Sequence, residues 1–216
     1  NDTSGNSAVS GVYTFTVVDT TPPEIVDNTP GVATTGDAFT FNASVTDNVG
    51  VAGVYVEYWY DAGAHTNVSM SNVGGNYWEY SIVVADTLDT LYYVISAVDG
   101  SGNWNNSGVG SVAISDNDSP VISNVQDNPD PQEYGGWVNI TCSVTDNIGV
   151  NVVKVNITYP DGSFVNVTMS GSYYYNTTYS MLGTYSYFIW ANDTSGNSAV
   201  SGVYTFTVVD TTPPEI

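Results

Sequence analysis

The sequence predicts an all-β chain of two tandem β-sandwiches with one further strand at its N-terminal end. Apolar and polar residues alternate in short runs bounded by Gly, Pro, Asn and Asp, which is the pattern of half-buried strands, and no stretch shows helical periodicity. Hydrophobic residues make up 42% of the chain and aromatic residues 13%, so a sizeable core can form. Two internal repeats, one perfect and one degenerate, then divide the chain.

The perfect repeat joins the two ends of the chain. Asn1–Ile25 recurs without a substitution as Asn192–Ile216, a shift of 191 residues (192 − 1). Many different sequences satisfy one strand pattern, so a copy of this length does not arise by convergence. The repeat predicts that the chain is a window of a tandem array and that neither terminus of the natural polypeptide is present.

The degenerate repeat lies within one period. The run AFTFNASVTDNVGV at 38–51 is matched by WVNITCSVTDNIGV at 137–150, and Y-x-I-x-A-x-D-x-S-G-N occurs at 93–103 and again at 187–197. The offsets are 99 (146 − 47) and 94 (193 − 99) residues, a usual length for one sandwich domain. We therefore predict a first domain at 21–116, a second at 117–210, and a linker into the next repeat at 211–216.

About seven strands can be drawn in each domain. In the first domain they are predicted near 23–27, 38–46, 53–60, 65–70, 76–84, 90–98 and 107–115. In the second domain they are predicted near 120–125, 137–145, 152–159, 164–169, 172–180, 184–192 and 199–209.

Residues 1–20 are interpreted as the end of a preceding repeat, with its last strand at 1–18. Unpaired strand edges are costly in a folded assembly, so we expect this strand to pair with another subunit or to be continuous with one. The domain boundaries Asp19-Thr-Thr-Pro-Pro, Asp116-Asn-Asp-Ser-Pro and Asp210-Thr-Thr-Pro-Pro carry proline, which restricts the backbone and predicts short, stiff linkers.

Composition excludes several classes of partner. The formal net charge is −21, with Lys154 the single basic residue besides His65, so binding to nucleic acid or to an anionic membrane surface is not expected. No apolar run has membrane-spanning length, so no membrane insertion of this segment is expected. Cys142 is the only cysteine and is predicted to be a buried, inert thiol in a strand.

No constellation of residues indicates an enzyme. A hydrolase triad needs a base, and His65, the only histidine, lies in the turn-like stretch DAGAHTN. Glu57, Glu79 and Glu133 could serve glycoside hydrolysis, but no spacing selects a pair among them. We therefore expect a protein without catalytic activity.

The boundary D-x-T-P-P-x-I, the turn T-D-N-x-G-V and the ending Y-x-I-x-A-x-D-x-x-G-N resemble the tandem Ig-like domains of archaeal and bacterial cell-surface proteins, over essentially the whole chain. The resemblance implies two tandem seven-stranded Ig-like β-sandwiches, related to fibronectin type III and cadherin domains, at an extracellular location. Proteins of this group serve as stalks, adhesins, surface-layer (S-layer) components and filament subunits, so the motifs identify the domain type more sharply than its role.

Carboxylates should gather where the chain enters each such sandwich, because two loops meet there. For the first domain this places Asp47 and Asp99 near the linker residues Asp19 and Glu24, and for the second it places Asp146 and Asp193 near Asp116 and Asp118. Carboxylates crowded together repel unless a cation neutralises them, and Ca²⁺ accepts six to eight oxygens. The Asp116-Asn-Asp-Ser-Pro linker is also similar in part to the calcium-binding linker of cadherins. The alternative is that these residues are ordinary turn formers.

Acceptor motifs for N-linked glycans are frequent. In strands, Asn flanked by apolar residues should point outward when its neighbours point into the core. Either several sites carry glycans, or Asn and Thr are simply common on the outer faces. The acceptor residues are Asn1, Asn42, Asn67, Asn105, Asn117, Asn139, Asn156, Asn166, Asn176 and Asn192.

These observations predict a structural repeat unit of a long extracellular glycosylated filament, sheath or surface layer. Its partners would be copies of itself, either as a head-to-tail homopolymer or as covalent tandem repeats. The alternative is an adhesin stalk or carbohydrate-binding module, for which exposed aromatic residues would form the platform. The candidates for that platform are Tyr55, Trp59, Tyr77, Trp78, Tyr173, Tyr174 and Tyr175.

Overall fold

The structure is a computed structural model that describes residues 3–215. These residues form strands and turns without a helix, so the predicted all-β class is confirmed, and none of them belongs to a helix that could cross a membrane. The strands are β1 (Glu24–Asp27), β2 (Val32–Thr34), β3 (Ala38–Thr46), β4 (Val51–Tyr60), β5 (Thr66–Ser69), β6 (Ser71–Gly74), β7 (Tyr77–Val83), β8 (Leu91–Asp99), β9 (Trp104–Ser115), β10 (Val121–Asn128), β11 (Gln132–Glu133), β12 (Trp137–Thr145), β13 (Val150–Thr158), β14 (Phe164–Thr168), β15 (Tyr174–Thr178), β16 (Gly183–Asp193), β17 (Ser198–Val200) and β18 (Tyr204–Val209).

Strands between Glu24 and Ser115 form two sheets, in the orders β1-β3-β7-β6 and β2-β9-β8-β4-β5. Burial along β3 and β8 alternates residue by residue, which is the pattern of strands with one face in a core. Phe41 and Ile95 are fully buried, and the rings of Phe41 and Tyr93 lie 5.3 Å apart between their centroids. The alternation read from the sequence therefore predicts the inward faces correctly.

Strands between Val121 and Val209 form the other two sheets. Their orders are β10-β12-β15 and β11-β18-β16-β13-β14, with β17 also paired to β16. An aromatic cluster fills this core: Phe206 stacks on Tyr185 with centroids 4.9 Å apart and meets the edge of Tyr179 at 4.8 Å. Cys142 is buried in the same core, and burial raises the pKa of its thiol to about 11, as expected for an inert thiol.

The chain divides into two compact units. Residues 3–30, 40–81 and 92–111 form one unit, and residues 31–39, 82–91 and 112–215 form the other. Within the second unit, the Thr35 hydroxyl lies 3.1 Å from Asp116 Oδ1, and Asn147 Nδ2 donates to Thr35 Oγ1 at 3.1 Å. The predicted boundary between the two domains, at residues 116 and 117, stays a prediction.

Residues 3–23 contain no strand in the described chain. The large apolar side chains at positions 9–18 of this segment are exposed, among them Val12, Phe15 and Val17. The prediction that residues 1–18 pair with a neighbouring copy remains untested by a single chain, and its first two residues lie outside the described part.

The strands predicted from the sequence omit β2, β6 and β11 and one turn, and the strand predicted at 199–209 is divided into β17 and β18. β2 and β11 are only three and two residues long, and each pairs in parallel with the last long strand of its sandwich, a contact without a local signal. The strand predicted at 172–180 is shorter, at Tyr174–Thr178, because Gly171 and Tyr173 have positive φ (51° and 58°) and form a turn.

Candidate metal centres

Three aspartates of the first unit come from three separate segments. Asp19 lies before β1, Asp47 directly follows β3, and Asp99 is the last residue of β8. One carboxylate oxygen of each lies within 4.8 Å of the corresponding oxygens of the other two. We call Asp19, Asp47 and Asp99 the first centre.

Local hydrogen bonds hold these side chains in place. Asp47 Oδ1 accepts from the backbone N–H groups of Val49 and Gly50 at 2.8 and 2.7 Å, and Asp19 Oδ1 accepts from that of Thr21 at 3.1 Å. These are the Asx-type bonds that the turn-former interpretation predicts. Each of them uses only one oxygen of its carboxylate.

The second oxygens of two of these carboxylates have no partner. Asp19 Oδ2 and Asp47 Oδ2 are both buried and accept no hydrogen bond. A buried anionic oxygen without a donor is strongly disfavoured, and two of them close together also repel. Turn formation therefore accounts for the Oδ1 atoms of Asp19 and Asp47. Their Oδ2 atoms remain available to bind a cation.

The second unit repeats this arrangement with equivalent residues. Asp116, Asp146 and Asp193, the second centre, also bring their oxygens within 4.8 Å of one another. Asp146 Oδ1 accepts from Ile148 and Gly149, and the Oδ2 atoms of Asp116 and Asp146 are again buried without a partner. Both centres therefore consist of three aspartates, and in both of them two buried Oδ2 atoms lack a hydrogen-bond partner. Because the arrangement occurs twice, chance is a poor explanation for it.

The innermost aspartate of each centre is the best supported by hydrogen bonds. Asp99 is 2% exposed and Asp193 is 1% exposed. Burial acts to raise the pKa of both carboxyls, but donors from Asn103 and Ser101, and from Asn197, Gly196 and Ser195, outweigh it, so both pKa values lie below the ordinary value. Both side chains are therefore anionic at neutral pH.

Asn103 and Asn197 support the two candidate centres and were not among the residues predicted for them. Asn103 Nδ2 donates to Asp99 Oδ2 at 2.7 Å and to the main-chain oxygen of Asp19 at 3.2 Å. Asn197 Nδ2 makes the same two bonds, to Asp193 Oδ2 at 2.8 Å and to the Asp116 oxygen at 3.3 Å. The signal was the shared S-G-N ending, in which the Asn follows each Asp by four residues.

The donor set fits calcium. Every group is a hard oxygen ligand, the three carboxylates carry a charge of about −3 against a divalent ion, and Ca²⁺ tolerates irregular geometry. Of the eight predicted metal ligands, six lie in the two centres, and Glu24 and Asp118 lie outside them. Asp118 Oδ2 instead accepts from Asn147 Nδ2 at 2.9 Å.

Some glycan acceptor residues in strands lie between buried neighbours. Asn42 lies between the fully buried Phe41 and Ala43, and Asn139 lies between the fully buried Val138 and Ile140. Directly opposite pairs occur in the ladders, Asn139 with Asn176 and Asn156 with Asn166. Occupancy stays a prediction, and Asn1 lies outside the described residues.

Some acceptor amides already donate hydrogen bonds. Asn42 Nδ2 donates to Glu79 Oε1 at 2.7 Å, and Asn105 Nδ2 donates to the Pro23 oxygen at 2.8 Å. A sugar on either nitrogen would have to disrupt that bond, so these two sites are weaker candidates than the exposed Asn67, Asn166 and Asn176.

Three of the residues considered for sugar binding and catalysis, Trp59, His65 and Glu57, contact one another. The His65 ring stacks on Trp59 with centroids 4.1 Å apart and planes 4° apart, and His65 Nδ1 lies 2.9 Å from Glu57 Oε1. His65 therefore covers a face of Trp59 that a sugar would need. Tyr77 and Tyr174 are about half exposed, at 55% and 47%.

No family model matches this chain, and no curated protein matches it. Solved structures similar to it include the Clostridium thermocellum CbhA fibronectin(III)-like modules, at 16% identity over 87% of this chain and 94% of that chain, with a TM-score of 0.35. A titin structure is similar at 11% identity over 88% of this chain and 100% of that chain, with a TM-score of 0.42. Chicken CNTN1 FN1-FN3 domains are similar at 12% identity over 87% of this chain and 67% of that chain, with a TM-score of 0.37.

The paired sheets, their alternating cores and the repeated loop motifs define the class of the protein. It is an all-β protein whose paired sheets and loop motifs recur along the chain, in agreement with the tandem β-sandwiches that the sequence predicts.

Proposed function

We propose that this chain is a repeat unit of a long extracellular, glycosylated filament, sheath or surface layer, assembled head to tail and stabilised by Ca²⁺ at both centres. The observation that carries the proposal is the duplication of one three-carboxylate centre with buried, unpartnered oxygens. Its role is mechanical, so it requires no catalytic residues.

Calcium would act on the segment that leads into each sandwich. A cation held by Asp19, Asp47 and Asp99 would tie the segment before β1 to the loop after β3 and to the end of β8. The second centre would do the same with the segment before β10, the loop after β12 and the end of β16. Fixing these segments restricts their backbone freedom, which suits a load-bearing array.

Head-to-tail assembly is supported by the perfect repeat. The sequence that packs as the last strand of the second sandwich, Tyr204–Val209, also occurs at 13–18 with its apolar side chains exposed. Repeats of this kind, joined covalently or by strand exchange, form open chains because the contact does not close on itself.

The calcium proposal is tested on the full chain by titration calorimetry and thermal unfolding in CaCl₂. We expect two bound ions, with affinities in the range of extracellular sites, about 10⁻⁴–10⁻³ M. Asp47→Asn and Asp146→Asn should each abolish one site, and the double variant should abolish both. Glu24→Gln is the matched control, since Glu24 lies outside the centres. Unchanged binding by the double variant would refute the proposal.

The assembly proposal is tested on native material by electron microscopy and a denaturing gel. We expect ordered fibres or sheets. A giant band indicates covalent tandem repeats, whereas a band near the mass of this 216-residue chain, 22.9 kDa, indicates separate subunits. Dispersed, unassembled protein at the cell surface would count against assembly.

The second candidate is an adhesin stalk or carbohydrate-binding module. Its supporting observation is the exposure of Trp104 and Trp137, at 58% and 53%, since exposed indole rings can stack on sugars. Binding of the full chain to a glycan array, lost in Trp104→Ala or Trp137→Ala, would favour this candidate over the filament unit.

A further inference from the structure

We propose that residues 9–18 of one copy insert into the second unit of another copy and pair with its β16 in the place of its own β18. This inference rests on the proposed head-to-tail assembly and names the surface that carries it. The occupant is a second copy of this chain, because an identical strand already fills that place within the molecule.

The donor is an apolar segment without a strand partner in the described chain. Val9, Tyr13, Phe15 and Val17 are 93%, 87%, 89% and 84% exposed. Tyr13, Phe15 and Val17 alternate with Thr14 and Thr16, as in a strand with one buried face. A contiguous exposed apolar segment of this kind is typical of an interaction surface.

The acceptor is the edge of β16 and the core beside it. In the resident strand, Tyr204 pairs with Tyr187, Phe206 with Tyr185 and Val208 with Gly183. Phe206 is fully buried and Val208 is 2% exposed, so both side chains are part of the core. The place is therefore shaped for one aromatic and one β-branched residue on alternate positions.

The perfect repeat sets the register of the donor without further assumption. A shift of 191 residues (204 − 13) puts Tyr13, Phe15 and Val17 opposite Tyr187, Tyr185 and Gly183. Every side-chain contact and ladder hydrogen bond of β18 can then be made again by the incoming strand. The acceptor has no means of distinguishing the two strands.

This equivalence decides when exchange occurs. Exchange replaces one set of contacts by the same set, so it gains no contact energy, while association costs translational and rotational freedom. The intact chain should therefore remain a monomer in dilute solution. A chain whose own β18 is weakened should bind the donor of another copy and grow head to tail.

The test uses two full-length variants of the acceptor's own strand. Phe206→Asp places a charge in the core, and Phe206→Ala is the milder change that keeps an apolar residue. We expect both to form oligomers, in multiples of 22.9 kDa, by size-exclusion chromatography with light scattering. Phe15→Asp, the matched variant of the donor, should remain a folded monomer, and the double variant of Phe15 and Phe206 should not oligomerise.

A cross-link then checks the register. Thr205 pairs with Ser186, and Thr14 is the residue equivalent to Thr205. In the Phe206→Ala chain, Thr14→Cys with Ser186→Cys should give disulfide-linked oligomers. Thr205→Cys with Ser186→Cys, in the otherwise unchanged chain, should give a cross-linked monomer.

Several outcomes would overturn the inference. The inference is wrong if both Phe206 variants stay monomeric, folded or not. It is also wrong if the double variant of Phe15 and Phe206 oligomerises as much as the Phe206 variants, because this indicates nonspecific aggregation. Ordered native fibres together with monomeric Phe206 variants would leave the filament proposal intact and refute strand exchange alone. Oligomers of the Phe206 variants in the absence of native fibres would support strand exchange and refute the filament proposal.

Discussion

Residues 9–18 and residues 200–209 have the same sequence and different structures. The later copy contains β18, whose Phe206 is fully buried against Tyr179 and Tyr185. In the earlier copy the equivalent Phe15 is 89% exposed, and its segment forms no strand in the described chain. Because local propensity is identical in the two copies, the difference comes entirely from what each copy can contact.

The comparison shows that strand formation here is a tertiary event. The preference of Val, Tyr, Phe and Thr for strands reflects packing on a pleated surface as much as the backbone itself. Residues 204–209 have β16 and β11 on either side, and residues 13–18 have neither. An alternating apolar pattern therefore predicts the ability to form a strand rather than the presence of one.

At the residue that follows each copy, it is the earlier copy that makes the tertiary contacts. Asp19 lies in the first centre with Asp47 and Asp99, whereas the equivalent Asp210 is exposed. Both make the same local bond, since Thr21 N–H donates to Asp19 Oδ1 and Thr212 N–H donates to Asp210 Oδ1, each at 3.1 Å. The turn is a property of the local sequence, and the centre is a property of the sandwich that follows.

The largest expected effect is the asymmetry between Phe206→Ala and Phe15→Ala. Removing the buried Phe206 ring leaves a cavity in the aromatic cluster and should lower the free energy of unfolding by about 3–5 kcal/mol. Removing the exposed Phe15 ring should change it by less than about 0.5 kcal/mol. Urea denaturation at low protein concentration measures both values.

Equal effects of the two Phe substitutions would break the comparison. A large cost for Phe15→Ala in a monomer would mean that residues 9–18 pack on their own chain in solution. The low protein concentration matters, because strand exchange between copies would bury Phe15 and hide the difference.

The next effect compares Asp19→Asn with Asp210→Asn in the presence and absence of calcium. At a free Ca²⁺ concentration of about 100 times Kd, loss of one site removes about 2.7 kcal/mol of stabilisation. Asp19→Asn should show this loss in CaCl₂ and should be neutral or stabilising in EDTA, because it then only removes a repelling charge. Asp210→Asn should change neither condition, as followed by thermal unfolding.

The sign reversal of Asp19→Asn is what makes this prediction specific. A carboxylate that only forms a turn would be equally costly to replace with and without calcium. If Asp19→Asn destabilises the chain equally in CaCl₂ and in EDTA, the aspartates of the first centre form turns and do not bind calcium.

A smaller effect is expected at Ser201 against Ser10. Ser201 Oγ accepts from the N–H of the fully buried Ile189 at 2.9 Å. Ser201→Ala leaves that donor without an acceptor and should cost about 1–3 kcal/mol, while Ser10→Ala should cost nothing measurable. Amide hydrogen exchange at Ile189 offers a direct reading, with faster exchange expected only in Ser201→Ala.

The repeat motifs predicted more of the centres than their individual residues suggested. Asp47 and Asp146, with Asp99 and Asp193, were predicted from loops that the resemblance places at one end of each sandwich, and the structure brings each pair together with a linker Asp. Glu24 was predicted to belong to the first centre as a linker residue, together with Asp19. It lies in β1, where strand direction and not sequence distance decides which way a side chain points.

The parts of the fold that could not be predicted depend on long-range contacts. β2 and β11 are short parallel additions to the last strands of the two sandwiches, at Val32–Thr34 and Gln132–Glu133. Their sequences carry no alternation long enough to detect, because two or three residues cannot establish a period. The long strands β3, β8, β12 and β16 were predictable because each repeats a buried position several times.

The smallest expected effect compares Thr211 with Thr20. Thr211 Oγ1 donates to Glu133 Oε2 and Thr211 N–H donates to Glu133 Oε1, both at 2.8 Å, and the Thr211 side-chain bond is the main cause of the lowered pKa of Glu133. Thr211→Ala should raise that pKa part of the way toward the ordinary glutamate value of about 4.3. Thr20→Ala should leave the pKa of Glu133 unchanged, because Thr20 follows the copy that forms no strand in the described chain.

Carbon-detected NMR titration of the Glu133 carboxyl measures this shift directly. A lowered pKa in the folded state contributes stability above the unfolded-state pKa, and that stability is lost as the pH falls through the folded-state pKa. The stability difference between Thr211→Ala and the unchanged chain should therefore be present above about pH 4.3 and disappear at lower pH. A difference that persists at low pH would show that Thr211 acts through packing and not through the Glu133 carboxylate.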